Sequence, residues 1–151
     1  MAHHTVRDPD FERRIRESFS RQQFMTTLGA ALERVVPGEV LIAVPFSLAL
    51  TQQHGFLHAG VVAGLIDSAC GYAALTLMEP GAGVMSVEFK VNLLAPAAGN
   101  RFVAVGRVLR AGKTLTACQG DLRAVQDDGE VVVAVLQGTM MAMRDRDGIA
   151  D

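Results

Sequence analysis

Residues 59–78 read AGVVAGLIDSACGYAALTLM, twenty positions holding one charge, Asp67, and three glycines, Gly60, Gly64 and Gly71. A helix drawn through them is apolar nearly all round and must be covered on most of its sides. The competing reading is a membrane span. A central Asp costs about 2.5–3.5 kcal/mol on insertion. Ser68, Tyr72 and Thr76 add polar groups, no basic flank follows, and strong hydrophobes are too few to offset the Asp. A buried helix in a soluble domain is therefore expected, with no membrane partner. Gly60, Gly64, Asp67, Gly71 and Ala74 recur at intervals of four, three, four and three, hence on one face. A face that small admits another backbone or a ligand, at a cost of about 1 kcal/mol per internal glycine. At this point a plain packing groove is an equal reading.

Outward from this helix the pattern is that of a sheet. Upstream lie a polar loop, Thr51 to Phe56, and two β-rich runs, 30–36 and 39–46, parted by Pro37-Gly38 as in a hairpin. Further back, Asp8-Pro9 predicts a helix start, with Asp8 as cap and Pro9 in the first turn. Phe11, Ile15 and Phe19 give that helix a single apolar stripe. Downstream of Glu79-Pro80-Gly81, Val87, Phe89, Val91 and Leu93 alternate with Ser86, Glu88, Lys90 and Asn92, which predicts a half-buried strand. Three further strands, 101–109, 114–125 and 130–143, continue the meander. They are separated by Ala111-Gly112 and Asp127-Asp128-Gly129. The sum is an α+β domain with an antiparallel sheet over residues 28–143. A helical extension, 1–27, precedes it, and a charged tail expected to fray, 144–151, follows. A curved sheet wrapped round residues 59–78 would give that helix its cover.

Composition narrows the class. Among 151 residues, 50% are apolar and 20% charged, rich enough to expect apolar surface covered by a second subunit. Net charge is −2 with no basic stripe, which argues against a nucleic-acid partner. Cys70 and Cys118 lie within apolar runs and read as free buried thiols, suited to a reducing cytoplasm. Met1-Ala2-His3-His4-Thr5 lacks the apolar core of a signal peptide.

Chemistry concentrates on Asp67. A mid-helix carboxylate gains nothing from the helix dipole and, in an apolar helix, must be paired, hydrated or functional. An ionised carboxylate in a dry cleft can serve as nucleophile or as general base toward water; a structural ion pair is the alternative. The loop Gln52-Gln53-His54-Gly55-Phe56-Leu57-His58-Ala59-Gly60 brings small residues to the helix N-terminus. Amides of Ala59 and Gly60 there are expected to face outward and to favour a developing oxyanion. Asp67 stands about two turns further on, so both ends reach one substrate only across a subunit interface or a curved cleft.

Gln52, Gly55, His58, Gly60 and Asp67 carry a resemblance. They fit the hotdog thioesterase pattern Asn-x-x-Gly-x-x-His-Gly-Gly with an acid nine residues after the His, and are most similar to the phenylacetate-degradation (PaaI) type. The likeness runs from about Phe24 to Met141 and includes Ser86-Val87-Glu88-Phe89 and Arg110-Ala111-Gly112-Lys113. It implies a hotdog fold, dimers formed by edge-to-edge sheet pairing and often tetramers. The implied activity is hydrolysis of acyl-coenzyme A at the dimer interface, with no cofactor beyond the coenzyme A of the substrate. Asp67 would activate water or attack the acyl carbon, the Ala59 N–H would bind the thioester oxygen, and Gln52 would stand where the family's Asn positions water or carbonyl. Ser86 would assist the acid from the partner subunit. Two departures stand out: Gln52 is one methylene longer than Asn, and Ala59 replaces the first Gly of the triplet. They motivate a rival reading, a hotdog module that binds acyl-coenzyme A without cleaving it. A hydratase of this fold typically has a His five residues after its Asp, where this chain has Tyr72.

The remaining candidates have blander readings. His58 reads as a backbone-bonding residue ahead of the helix more readily than as a base. His54 and His58 lack a nearby Cys or acid, so no metal site is expected, and Cys70 lacks a neighbouring base. Ser86 falls on the polar face of its strand, where solvent is an equal expectation. Arg110 and Lys113 flank a turn and could meet coenzyme A phosphates, although exposed turn charges are commoner.

Overall fold

A computed structural model describes residues 4–151. Two short helices, α1 (Phe11–Arg21) and α2 (Gln23–Leu28), lead into the hairpin β1 (Ala31–Val36) and β2 (Glu39–Pro45). The long helix α3 (Ala59–Leu75) follows a single 3-10 turn at Leu48–Leu50. Then come β3 (Gly83–Leu93), β4 (Arg101–Ala111), β5 (Leu115–Gln126) and β6 (Gly129–Met143). All strand pairs are antiparallel, in the order β1-β2-β4-β5-β6-β3. The sheet curls round α3, whose Leu65, Ile66, Ala69, Cys70, Ala73 and Leu75 are fully buried against it. This is the hotdog arrangement that the resemblance implied.

Close contact of helix and sheet depends on glycines in the strands. Gly106 of β4 pairs with Gly120 of β5, and a Cβ on Gly106 would lie 2.2 Å from the Ala69 carbonyl carbon. Side chains there would lift the helix off the sheet. On the opposite side of α3 the small-residue face is the least covered, with Gly60 exposed and Gly64, Asp67 and Gly71 half-buried. The Phe24 ring lies over Gly64, where a Cβ would come within 2.6 Å of it. Ala74, last in the series, is buried.

Three expectations are corrected. The first helix begins at Phe11, because Asp8 caps a turn instead: its Oδ1 accepts the Asp10 N–H at 2.9 Å, and its carboxylate is committed to Arg14 at 3.3 Å. β3 does not continue the meander. It pairs with β6 at the far edge of the sheet, so the chain crosses over before β4. Nor is β3 half-buried, since Val87, Phe89 and Leu93 are all exposed. As an edge strand it has a neighbour on one side only, and of its larger apolar side chains only Val84 and Val91 pack against the core. No helix among the described residues is long and apolar enough to cross a membrane.

One buried charge ties the extension to the domain. Arg14 projects from α1 to the C-terminal end of α3, where its guanidinium donates to the carbonyls of Leu75 (3.0 Å), Met78 (2.9 Å) and Glu79 (2.6 Å). Leu75 O and Glu79 O also accept the Met78 and Ala82 amides, whereas Met78 O has only the guanidinium among the described residues, and a cation at this end suits the helix dipole. Asp8, equally buried, supplies the counter-charge.

Candidate active site

Asp67 sits in the middle of α3 and faces a cleft of about 330 Å3 lined by Ser68, Gly71, Tyr72, Val84 and Ser86, with Ser18, Arg21, Gln22 and Asp151 opposite. Ser86 Oγ donates to Asp67 Oδ1 at 2.7 Å. No salt bridge reaches Asp67 among the described residues. The carboxylate is thus neither sealed in nor neutralised. Burial is the larger influence on its pKa and pushes it above the ordinary carboxylate value, while the Ser86 hydrogen bond pulls the other way by favouring the charged form.

Ser86 reaches Asp67 within a single chain, which corrects the expectation that this serine comes from a partner. The Ser86 side chain lies on the inner face of the sheet, at the exposed rim of the cleft. The cause is a β-bulge between Ser86 and Glu88, where the register against β6 shifts by one residue. Ser86 pairs with Met140 on the inner face, and after the bulge Phe89, opposite Gly138, points inward as well. Simple alternation therefore fails across Val87.

At the other end of the helix, His58 caps α3. Its Nδ1 accepts the Gly60 N–H at 2.8 Å, which places the ring proton on Nε2 and gives His58 a structural task. The Gly60 amide is thereby occupied, correcting the expectation that both first-turn amides are free. Ala59 N–H has no hydrogen-bond partner among the described residues. It borders a second cleft, about 460 Å3, with Gln52, Phe56, Val62, Leu93 and Val133. Gln52 shapes the loop: its backbone N–H donates to Phe56 O at 2.9 Å, its carbonyl accepts from Gly55 N–H at 3.0 Å, and its Oε1 accepts the His54 amide. Gly55 has φ +82°, a left-handed conformation that favours glycine.

The two clefts share no lining residue. Eight positions along a rigid helix part Ala59 from Asp67, about 12 Å. The structure therefore pairs Asp67 with Ser86, and Ala59 with Gln52, and keeps the pairs apart. Arg110 and Lys113 join neither. Arg110 borders a separate hollow with His4 and Arg7. Lys113 sits in the β4–β5 turn, its carbonyl taken by Arg144. Sequence reading missed Ser18, Arg21 and Gln22 as cleft residues, because nothing in a charged amphipathic helix signals which polar side chain meets a helix fifty residues away. Tyr72 closes the Asp67 cleft with its hydroxyl donating to Gln22 Oε1 at 3.1 Å. Cys70 and Cys118 are free and buried, with thiol pKa values pushed up by burial, so neither is a nucleophile. No group of residues suited to a metal ion occurs among those described.

Comparisons with known proteins agree with this architecture. Residues 54–131 match the family model described as the thioesterase superfamily. Human acyl-coenzyme A thioesterase 13 is 33% identical over 103 residues, covering 67% of this chain and 73% of that protein. The crystal structure of a thioesterase family protein from Silicibacter pomeroyi is 48% identical and superposes with a TM-score of 0.87, covering 88% of this chain and 98% of that one. The PaaI protein of E. coli, at 18% identity and TM-score 0.79 over 89% of this chain and 94% of its own, shares the fold. The chain belongs to the thioesterase superfamily, and its fold is the hotdog arrangement. Thioester hydrolysis is its general chemistry.

Proposed function

We propose that this chain hydrolyses acyl-coenzyme A thioesters in a site completed by two copies of itself. The observation that carries the reading is Asp67, open to a cleft, held by Ser86 and without an ion-pair partner among the described residues. In one half of the site Asp67 acts as general base toward water or as nucleophile, with Ser86 fixing the carboxylate. In the other half the Ala59 N–H receives the carbonyl oxygen as it gains negative charge, Gln52 offers its amide nitrogen beside it, and Gly55 and Gly60 keep the approach open. The 12 Å between the halves is spanned when a second chain, antiparallel to the first, sets its Ala59 cleft against this Asp67. The free edge of β3 with its exposed Met85, Val87 and Phe89 is the surface that would join them, and an exposed apolar edge of that length calls for cover. A tetramer would then be a pair of such dimers. Arg110 and Lys113 are the cations offered to coenzyme A phosphates. The rival, a module that binds without cleaving, draws support from Gln52 Oε1 being spent within its own loop.

Subunit complementation tests this reading. Ala59→Pro deletes the N–H at a helix position that tolerates proline, and Asp67→Asn disables the other half. Each variant alone should release little thiol from acyl-coenzyme A. Mixed and reassembled, the two should recover about a quarter of wild-type activity, since half the dimers are mixed and each mixed dimer has one intact site. Absence of recovery in dimers shown to have exchanged subunits rules out a shared site.

The acid limb of the pH profile supplies a second check. Asp67 must be ionised to act, and burial raises its pKa, so kcat/KM should fall on the acid side at a pH above the ordinary carboxylate range. Ser86→Ala removes the hydrogen bond that favours the ionised form and should move this limb to higher pH still. A limb unmoved by Ser86→Ala would show that another group sets it.

A further inference from the structure

The Asp67 cleft has a second end with a different chemistry. One turn beyond Asp67 along α3, about 5.4 Å, Gly71 leaves the wall bare and Tyr72 closes it. From α1 the buried Ser18 donates to Asp151 Oδ1 at 2.6 Å, and Arg21 donates to the same oxygen at 3.1 Å. Asp151 reaches this position because Ile149 packs against Gly83, where a Cβ would lie 2.8 Å from the Ile149 side chain. A hydroxyl and a guanidinium thus converge on a carboxylate inside the cleft that holds the reactive acid.

Resting on the thioester-hydrolase reading above, we propose that this cleft selects acyl groups ending in a carboxylate. Ser18 and Arg21 are the specificity-determining residues, and Asp151 is an internal occupant that the substrate's distal carboxylate displaces. A hydrocarbon tail entering here would strip Ser18 and Arg21 of their partner and return nothing, leaving polar groups unmet. A carboxylate replaces Asp151 oxygen for oxygen. The positive charge of Arg21 also offsets the repulsion that a second anion would meet from Asp67.

The test compares kcat/KM for adipyl-coenzyme A and hexanoyl-coenzyme A, acyl groups of equal length, with the full chain as wild type, Arg21→Gln and Asp151→Asn. Wild type should favour adipyl. Arg21→Gln should lower the adipyl-to-hexanoyl ratio about tenfold, the scale of one lost charge-assisted hydrogen bond. Asp151→Asn should raise the ratio by freeing Arg21. A wild type that prefers hexanoyl, or a ratio constant across the three proteins, overturns the carboxylate subsite while leaving the hydrolase reading intact. A wild type that cleaves neither thioester overturns both.

Discussion

Asp67→Asn should cut kcat for acyl-coenzyme A hydrolysis roughly a hundred- to ten-thousandfold, the range lost with a general base. The variant should fold as well as wild type. Burial raises the Asp67 pKa, so the folded chain holds its proton to higher pH than the unfolded chain does. The sign follows: the residue's contribution to stability is fully present at low pH and is lost as pH rises through the folded-state value. Replacing it with a neutral isostere should therefore raise the melting temperature near neutral pH, and the gain should shrink on acidification. Thiol release measured beside thermal unfolding separates the two effects. Undiminished turnover by the Asn variant removes Asp67 from the mechanism. A collapse in stability would instead make it a structural residue.

The largest effect on stability should come from Arg14→Met. The substitution removes the guanidinium from three carbonyls, of which Leu75 O and Glu79 O keep a backbone donor and Met78 O loses its partner, and it strands Asp8 as a buried, unpaired carboxylate. Breaking a buried pair from one side costs about 3–5 kcal/mol. For a domain of this size that is roughly 6–20 °C in melting temperature. Removing the stranded charge as well, in Asp8→Asn/Arg14→Met, should restore part of the loss. Urea or thermal unfolding of both variants measures it, and additive losses in the double variant would deny that the two groups act as a pair.

What the sequence displayed and what it hid divide along physical lines. Residues 59–78 announced a covered helix because no periodicity offered it a solvent face, and Pro37-Gly38 and Asp127-Asp128-Gly129 marked hairpins by turn chemistry alone. Phe11, Ile15 and Phe19 did supply the buried stripe of α1, with Ile15 fully covered. The order of strands was not legible, since pairing β3 with β6 is a contact between segments some fifty residues apart. Arg14 was invisible for a related reason: its acceptors are backbone carbonyls more than sixty positions away, which no side-chain pattern encodes. At the site, Asp67 stood out as a charge in an oily helix. His58 was legible as a backbone-bonding residue; that it takes the Gly60 N–H in particular was not, because capping depends on one ring torsion.

The extra residue in β3 has a consequence for how this strand is compared among relatives. It reverses the phase of the pleat midway, so one continuous segment sets Ser86 and, three positions later, Phe89 on the same face of the sheet. A reader who aligns such strands by strict odd-even bookkeeping would send one of the two outward. A deletion there of a single residue would barely alter the composition while exchanging which side chains meet the cleft and which meet water.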